Sequence, residues 1–272
     1  MNIIDGNKIA REKLGQLRRE IEEKDISLSL AVVLVGNNPV SEVYVKNKKR
    51  LLTDCGIKVN LYRLEENVTT EELEQKIKEV EEDGVIVQLP LPEHISKEEI
   101  IRHLPPAKDV DFFSTELLGE YYRGEREMMP PVAMAVKVIL EEHDISLQGK
   151  RVVLVGGGEM VGKPLTLFFL HQQATVTVVN EYTDDVSFFT KQAEIIVAGT
   201  GVPKLIKGEM IKKDVVLIDA GTSVVSGKME GDVDVESLQD KPSFLAKVPG
   251  GVGPVTIYSL AKNLMELKKR NA

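Results

Sequence analysis

Cysteine and histidine are scarce in this sequence, and neither forms a cluster. The 272 residues contain one cysteine, Cys55, so an internal disulfide bond is excluded. The four histidines are scattered without the spacing of metal ligands, and surface or loop positions account for them best. We therefore predict no metal site.

The sequence also lacks a long apolar run, a long basic block and a recognisable targeting segment. Residues 1–6 do not have the basic start and apolar core of a signal peptide, and no apolar run approaches the length that spans a bilayer. The formal net charge is −8, which argues against nucleic acid as the main partner. We expect a cytoplasmic protein with no nucleic-acid or membrane partner.

The composition is that of a globular protein, with 42% hydrophobic and 29% charged residues, and the length is sufficient for two domains. Helical periodicity and capping signals predict early helices over 7–24, 39–56 and 69–82. Apolar or alternating runs predict strands over 28–35, 58–64 and 84–89. Strands that alternate with helices indicate a parallel α/β layer, in which ligands bind at the carboxyl ends of the strands.

Tyr44 and Lys48 are four residues apart in the predicted helix over 39–56, which places both side chains on one face. Gln88 stands at the carboxyl end of a predicted strand, and the turn after Gly36 that leads into this helix lies at another such end. These positions indicate a reaction site. A solvated basic face is the alternative, because further lysines and an arginine surround Lys48.

Two carboxylates, Asp109 and Asp111, follow in a loop after a pair of prolines. Aspartates at this spacing in a loop commonly form turns or caps, and a functional role is the alternative. The next segment, 112–130, shows no clear pattern, whereas the spacing of apolar residues predicts a helix over 132–142.

A second unit begins at residue 150. A short apolar strand over 150–155 precedes a glycine-rich turn with Gly156, Gly158 and Gly162, and then a helix. Backbone N–H groups in such a turn and at the helix N-terminus can face a phosphate. The spacing is one residue longer than the usual dinucleotide fingerprint, so the turn alone is weak support.

The residues that follow strengthen the case for a dinucleotide site. Further strands are predicted over 174–179, 194–198 and 215–219. Glu181 stands just past the first of them, where an acidic residue typically binds the ribose 2′-hydroxyl, and Gly199 and Gly221 follow the other two. A doubly wound domain without a cofactor is the alternative. The chain ends with a stiff loop over 249–254 and a predicted helix over 256–269.

Six motifs in this order resemble those of the bifunctional methylenetetrahydrofolate dehydrogenase/methenyltetrahydrofolate cyclohydrolase family, and together they span nearly the whole chain. They are Tyr44-x-x-x-Lys48, Val87-Gln-Leu-Pro-Leu-Pro92, Lys108-Asp-Val-Asp111, Val161-Gly-Lys-Pro164, Ala174-Thr-Val-Thr-Val178 and Pro249-Gly-Gly-Val-Gly-Pro-Val-Thr256.

The resemblance implies an α/β fold with two lobes and a cleft between them. Residues 1–133, joined by a C-terminal helix over 255–272, would form the parallel α/β catalytic lobe, and residues 134–254 a Rossmann-like dinucleotide-binding lobe. Members of the family oxidise 5,10-methylenetetrahydrofolate with a nicotinamide cofactor, NAD or NADP, and hydrolyse the methenyl product to 10-formyltetrahydrofolate. The resemblance also implies a homodimer through the dinucleotide lobe.

By position, Lys48 resembles the catalytic lysine of the family, Tyr44 the tyrosine packed by the pterin, Gln88 the partner that orients the lysine, and Asp111 the carboxylate that holds the folate ring. The resemblance adds Gly251 and Pro254 to the folate site. The glycine turn, the strand ends and the acidic residue beyond them place the cofactor at Gly156, Gly157, Gly158, Gly162, Glu181, Gly199 and Gly221. A lysine can activate the hydrolytic water if burial or its neighbours favour the neutral amine.

Two departures concern the folate side of the resemblance. The family usually has Pro-Cys-Thr-Pro where this chain has Pro130-Pro-Val-Ala133, and Asp-Gly-Phe where this chain has Asp111-Phe112-Phe113. The second departure loses a flexible glycine beside the folate carboxylate. The alternatives are therefore a member with only the dehydrogenase or only the cyclohydrolase activity, or a non-catalytic relative that binds folate or nucleotide.

A third departure bears on the choice of cofactor. The family's glycine turn usually reads Gly-Arg-Ser, and His-Ser follows the second strand, whereas this chain has Gly156-Gly157-Gly158 and Asn180-Glu181. Arginine and serine suit the 2′-phosphate of NADP, but a carboxylate repels it and instead accepts a hydrogen bond from a free 2′-hydroxyl. We predict NAD over NADP, with Lys150 or Lys163 as residues that could still bind the phosphate.

Overall fold

The computed structural model describes residues 1–124, 128–225 and 227–271. Contacts within the chain form two units. The glycine-turn unit comprises Met1–Arg11 with Val132–Thr256, and the lysine unit comprises Glu12–Pro131 with the chain from Ile257 onward. None of the helices in these described ranges combines the length and the hydropathy of a segment that crosses a membrane.

Helices and strands alternate along most of the chain. The helices are α1 (Gly6–Glu23), α2 (Pro39–Asp54), α3 (Thr70–Lys78), α4 (Lys97–His103), α5 (Thr115–Arg123), α6 (Pro131–Glu141), α7 (Gly162–His171), α8 (Val186–Thr190) and α9 (Val252–Asn271). The strands are β1 (Asn2–Ile3), β2 (Ser29–Val35), β3 (Lys58–Leu64), β4 (Gly84–Val87), β5 (Arg151–Val155), β6 (Thr175–Val179), β7 (Ile195–Ala198), β8 (Val216–Asp219), β9 (Ser223–Val225), β10 (Lys228–Glu230) and β11 (Phe244–Ala246).

The lysine unit is built on a three-stranded parallel sheet in the order β3-β2-β4. The central strand β2 is apolar and buried along almost its whole length, as expected for a strand covered on both faces. Leu30 of β2 aligns with Val59 of β3 and with Gly84 of β4. This register confirms the predicted parallel layer and puts the carboxyl ends of β2 and β4 at one edge of the sheet.

Local signals in the sequence set two of the helix ends. Thr69 and Glu72 form a reciprocal capping box at the start of α3. Gly56, just past the end of α2, has a φ of 91°, in the region that glycine enters at little steric cost. The predicted capping residues are confirmed, although α3 ends at Lys78 rather than at the predicted residue 82.

Helix α5 corrects the expectation for residues 112–130, where the sequence predicted no regular element. Gly119 and the paired tyrosines of this short helix are weak helix formers, so the local pattern is poor. Burial of Leu117 and Tyr121 stabilises the helix instead, and Gly124 ends it with a φ of 70°. Residues 125–127 of the same stretch lie outside the described residues.

Asn263 of α9 forms hydrogen bonds to two segments of the lysine unit. Its side chain is buried, and Nδ2 donates to the carbonyl oxygens of Val110 and Met129, both at 3.0 Å. Asn263→Ala would leave two buried carbonyls without this donor, so we expect the free energy of unfolding to fall by about 2–4 kcal/mol in urea titrations. In the control, Asn271→Ala removes a bond to the Ala107 carbonyl at an exposed position, and an equal loss there would contradict the argument.

The glycine-turn unit contains a six-stranded parallel sheet in the order β1-β11-β8-β7-β5-β6. Strand β5 lies between β6 and β7, so the chain leaves β5 first to one side and later to the other. Ligands of doubly wound sheets bind at the carboxyl ends of the strands where the strand order reverses. This arrangement confirms the predicted Rossmann-like sheet.

Three features of the glycine-turn unit differ from the sequence predictions. The strands β1 and β11 extend the sheet, and β9 pairs with β10 in an antiparallel ribbon, yet none of these short strands was predicted. Helix α9 begins at Val252, so the predicted loop over 249–254 is wrong for its last three residues. Pro254 fits there because the first turn of a helix does not need the N–H group that proline lacks.

Candidate active site

Lys48 and Gln88 meet at the carboxyl edge of the sheet in the lysine unit. The backbone N–H of Gln88 donates to the Val33 carbonyl oxygen at 2.9 Å, which continues the pairing of β4 with β2. Lys48 Nζ donates to Gln88 Oε1 at 3.1 Å, and Gln88 Nε2 donates to the Leu89 carbonyl oxygen at 2.7 Å. The second bond fixes the amide so that its oxygen faces the lysine.

The surroundings of Lys48 differ from those of the other cations of α2. Lys46, Lys49 and Arg50 are exposed, whereas Lys48 is half-buried and bonded to Gln88. Tyr44 lies one turn earlier on α2 and is also half-buried. The basic face therefore consists of the neighbours of Lys48, while Lys48 itself points at a buried polar partner.

Asp111 joins this pair through its charge. Burial raises the pKa of the Asp111 carboxyl above its ordinary value, and the nearby positive charge of Lys48 opposes part of this rise. Asp111 itself is only half-buried, so its carboxyl can still meet a ligand. Lys48 is thus hydrogen-bonded to Gln88, and its charge acts on the Asp111 carboxyl.

Asp109, two residues before Asp111, is fully buried and fixes the loop that leads from Asp111 to α5. Its Oδ2 accepts from the backbone N–H of Ser114 at 2.6 Å. Burial raises the pKa of Asp109 to about 6, the Ser114 N–H opposes the rise, and the negative charge of Asp111 adds to it. Asp109 therefore closes a turn, as aspartates at this spacing commonly do, whereas a functional role of Asp111 stays a prediction.

The glycine turn after β5 is packed too tightly for side chains at two positions. Gly156 has a φ of 106°, and a Cβ there would lie 2.5 Å from the Gly199 carbonyl oxygen after β7. A Cβ at Gly162, where α7 begins, would lie 2.1 Å from the Gly156 carbonyl oxygen. Gly158 faces open space. The turn therefore brings the ends of β5 and β7 and the start of α7 together, as a dinucleotide cradle requires.

Two buried aspartates that the sequence analysis missed hold the neighbouring loops. Asp232 Oδ2 accepts from the Thr200 backbone N–H, from Thr200 Oγ1 at 2.9 Å and from the Gly201 N–H at 3.3 Å. Asp219 Oδ1 accepts from the N–H groups of Gly221 and Asp232, both at 3.1 Å. Burial raises the pKa of Asp219 to about 6, and the charge of Asp232 contributes to this rise.

The predicted glycines after β7 and β8 lie where the chain packs closely, and Gly221 also donates to Asp219. A Cβ at Gly221 would lie 2.1 Å from the Asp232 carboxylate, and one at Gly199 would lie 2.4 Å from Val161 Cγ1. Both glycines are therefore needed for close packing at the carboxyl edge of the sheet. The local signal that could have indicated Asp219 and Asp232 is the position of Asp219, at the end of a buried strand.

Glu181 is exposed at the same edge, two residues beyond the end of β6. The site of Gly157 adjoins this strand, because a Cβ there would lie 3.7 Å from Val178 Cγ1. Lys150 precedes β5 at the amino edge of the sheet and donates to Glu194 Oε1 at 3.0 Å, so it lies at the wrong edge to bind a phosphate at the glycine turn. Lys163, in the first turn of α7, is exposed and 4.0 Å from Glu159.

Gly251 and Pro254 lie in the glycine-turn unit and not in the unit that holds Lys48. Gly250 has a φ of 100°, and its carbonyl oxygen accepts from the Gly6 N–H at 2.8 Å. A Cβ at Gly251 would lie 2.7 Å from the Lys247 carbonyl oxygen. The assignment of Gly251 and Pro254 to the folate site stays a prediction.

The side chains of this site are not those of a metal centre. Among residues 1–124, 128–225 and 227–271, no group of three or more histidine, cysteine, aspartate and glutamate side chains is arranged to hold a metal ion. The lysine unit supplies an amine, an amide, a phenol and carboxylates, and the glycine-turn unit supplies a glycine-lined cradle.

Both halves of the chain match the same protein family. Residues 4–111 match the catalytic domain of the tetrahydrofolate dehydrogenase/cyclohydrolase family, and residues 130–272 match its NAD(P)-binding domain. The bifunctional protein FolD of Hydrogenobaculum sp. (strain Y04AAS1) is 42% identical over 276 residues, which cover 99% of each chain.

Solved structures of relatives have the same fold. The FolD enzyme of Campylobacter jejuni superposes with a TM-score of 0.93 at 36% identity, covering 100% of both chains. The enzyme of Trypanosoma brucei, in complex with NADP and an inhibitor, has a TM-score of 0.93 at 32% identity, covering 99% of this chain and 97% of that one. These matches confirm the resemblance drawn from the six motifs: the chain belongs to the tetrahydrofolate dehydrogenase/cyclohydrolase family.

Proposed function

We propose that this enzyme oxidises 5,10-methylenetetrahydrofolate to the 5,10-methenyl compound with NAD in preference to NADP, and hydrolyses the methenyl compound to 10-formyltetrahydrofolate. The observation that carries the proposal is the half-buried Lys48, bonded to Gln88 and close to Asp111. Family membership supplies the reaction class, and the glycine cradle supplies a place for the nucleotide. The family resemblance also favours a homodimer that forms through the glycine-turn unit.

The cofactor fits the residues of the glycine-turn unit. The backbone of the turn over 156–162 and the N-terminus of α7 would hold the pyrophosphate, and Glu181 would bind the adenosine ribose. The nicotinamide, when bound, supplies the hydride acceptor. The hydride leaves a carbon between two nitrogens, so oxidation requires positioning of the folate more than an acid or a base.

In the lysine unit, Asp111 and Tyr44 would position the folate. The carboxylate of Asp111 can accept hydrogen bonds from the amino group and ring N–H of the pterin, as two adjacent acceptor oxygens allow. Tyr44 would pack against the pterin ring. Because Lys48 is close to Asp111, this binding mode would place the methenyl carbon near the amine.

Lys48 would act in the hydrolysis. As the neutral amine, Nζ would take a proton from the attacking water while the new carbon–oxygen bond forms. The lysine would then give this proton to the nitrogen whose bond to the carbon breaks, and the hydroxyl would release its proton to solvent as the carbonyl forms. Gln88 Oε1 accepts a hydrogen bond from Nζ and so keeps the nitrogen in place through both proton transfers. A charged ammonium would instead repel the methenyl cation.

The preference for NAD rests on the carboxylate at residue 181 and on glycine at residue 157, where the family usually has arginine. Gly157 carries no charge where the family usually has arginine, and Lys150 is bonded to Glu194 at the opposite edge of the sheet. Lys163 lies in the first turn of α7, next to the glycine turn, and is exposed. A carboxylate that accepts from the free 2′-hydroxyl favours NAD, whereas it repels the 2′-phosphate of NADP.

An assay with both cofactors tests the proposal. The purified chain is incubated with 5,10-methylenetetrahydrofolate and either NAD or NADP, and absorbance of the methenyl product is read after an acid quench. We expect product with NAD and little with NADP. A preference for NADP would contradict the assignment of Glu181, and no product with either cofactor would contradict the dehydrogenase. Loss of absorbance from added methenyl compound tests the hydrolase separately.

A further inference from the structure

Phe112 has a backbone conformation that a bulky side chain rarely adopts. Its φ is 64°, in the left-handed region where the Cβ of most residues is crowded, and it directly follows Asp111. Strain of this kind persists only where the surrounding structure enforces it, and it is concentrated at functional positions. The question is therefore what holds Phe112 there and what its conformation achieves.

Packing of the Phe112 ring stabilises this backbone conformation. The side chain is 3% exposed and packs edge-to-face on Tyr121 of α5, with ring centroids 6.3 Å apart and an interplanar angle of 82°. Edge-to-face pairs of buried aromatic rings are favourable beyond the burial of apolar area. Burial of the ring thus offsets the cost of the left-handed backbone.

The other residues around Asp111 are fixed as well. Asp109 forms a parallel bridge with Val85 of β4, and its carboxylate accepts from the Ser114 N–H. The carbonyl oxygen of Val110 accepts from Asn263 Nδ2. The loop over 109–114 is therefore anchored on both sides of Asp111, while Asp111 itself stays half-buried and close to Lys48.

We propose that Phe112 and Asp109 are positioning residues that clamp the loop so that the Asp111 carboxylate is held in place for the folate ring. The proposal rests on the role of Asp111 in the proposed function. Phe112 acts as the anchor on α5, and the Asp109–Ser114 bond closes the loop. This chain has Phe112 where the family usually has glycine, and the buried ring holds the left-handed turn in place.

Steady-state kinetics of Phe112→Gly test the positioning role of Phe112. Glycine keeps access to the left-handed backbone but loses the anchor, so the loop becomes mobile. We expect the KM for 5,10-methylenetetrahydrofolate to rise about tenfold, while the KM for the nicotinamide cofactor changes less than about twofold. A residue that only stabilised the fold would lower the active fraction, and hence the apparent kcat, without raising this KM.

Phe113→Gly is the matched control. Phe113 is the next residue, half-buried against the core of the lysine unit, and it is not among the residues with positive φ. The control loses an aromatic ring from the same loop without touching the left-handed position. We expect it to lower the unfolding midpoint and to leave the KM for the folate within about twofold of the unchanged chain.

A double-mutant cycle with Asp111→Asn shows whether Phe112 acts through Asp111. If it does, Phe112→Gly adds nothing to the KM in the Asp111→Asn background. An equal rise in both backgrounds would overturn the proposal. So would an unchanged KM in Phe112→Gly when Asp111→Asn alone raises it, and the role of Asp111 would then still stand. If Asp111→Asn leaves the KM unchanged, the proposed role of Asp111 is wrong, and so is the positioning role of Phe112 and Asp109.

Variants of Asp109 keep the proposal testable should Phe112→Gly not fold. Asp109→Ala removes the acceptor for the Ser114 N–H, so we expect a rise in the folate KM of about tenfold. Asp109→Asn keeps an amide oxygen that can accept this bond, and we expect it to recover most of the loss. A KM that stays normal in Asp109→Ala, or a rise of the same size in both variants, would overturn the role of the Asp109–Ser114 bond.

Discussion

We expect Lys48→Met to lose hydrolysis of 5,10-methenyltetrahydrofolate by at least ~100-fold, the usual contribution of a positioned acid or base. Methionine has a similar length to lysine and an unbranched side chain, but it carries no amine. Gln88 Oε1 would then lose its donor, and the attacking water would lose the group proposed to take its proton. The rate is measured as loss of absorbance of the methenyl compound, under conditions where uncatalysed hydrolysis is slow.

The same variant should still bind folate, because Tyr44 and Asp111 are unchanged. Binding is measured by calorimetric titration with 5,10-methenyltetrahydrofolate, and we expect the Kd to change by less than about tenfold. Lys49→Met is the matched control: it removes an amine from the next residue of α2, at an exposed position. Its hydrolysis should stay within about twofold of the unchanged chain. Normal hydrolysis in Lys48→Met would disprove the assignment of the lysine.

The elements that the sequence predicted correctly are those that local patterns encode. Strand β2 is a continuous apolar run because it is buried on both faces, and the spacing of Tyr44 and Lys48 on α2 follows from the helical repeat. Gln88 lies at a strand end and so at the edge where ligands bind parallel sheets. Lys48 and Gln88 are 40 positions apart in the chain, yet the local sequence around each of them indicated its position.

The elements that the sequence did not reveal depend on partners far along the chain. Strand β1 has two residues and β11 has three, so their pattern is too short to detect, and pairing with β8 and with each other defines them. Helix α5 is stabilised by burial of Leu117 and Tyr121 rather than by its own propensity. Tertiary contacts override local preference in all three cases.

The site residues that the sequence missed follow the same principle. Asp232 holds residues 200 and 201, about thirty positions earlier in the chain, through a single carboxylate that no local motif distinguishes. The left-handed φ of Phe112 is invisible in the sequence as well, since a bulky residue such as phenylalanine is rarely found there. The Asp111-Phe112-Phe113 departure raised doubt about loop shape, and the structure shows a loop fixed by burial of the Phe112 ring.

We expect Glu181→Ser to shift the preference between the two cofactors by about 30–100-fold toward NADP. Two effects act in the same direction. Serine accepts a weaker hydrogen bond from the ribose 2′-hydroxyl than a carboxylate does, which costs NAD about 1 kcal/mol, and removal of the charge relieves repulsion of the 2′-phosphate by a further ~1–2 kcal/mol. The ratio of kcat/KM for NAD to that for NADP, with saturating 5,10-methylenetetrahydrofolate, measures the sum, since each 1.4 kcal/mol corresponds to a factor of ten.

Asp184→Ser separates a contact at the ribose from a general effect of charge. Asp184 is also exposed, lies three residues further along the same segment and gives the same change in net charge. If Glu181 binds the ribose directly, Asp184→Ser should move the preference by less than about threefold. Equal shifts in the two variants would mean that the whole negative segment repels the phosphate from a distance, in which case raising the ionic strength should remove both shifts. An unchanged preference in Glu181→Ser would show that another residue selects the cofactor, and Lys163, at the start of α7, would be the next residue to replace.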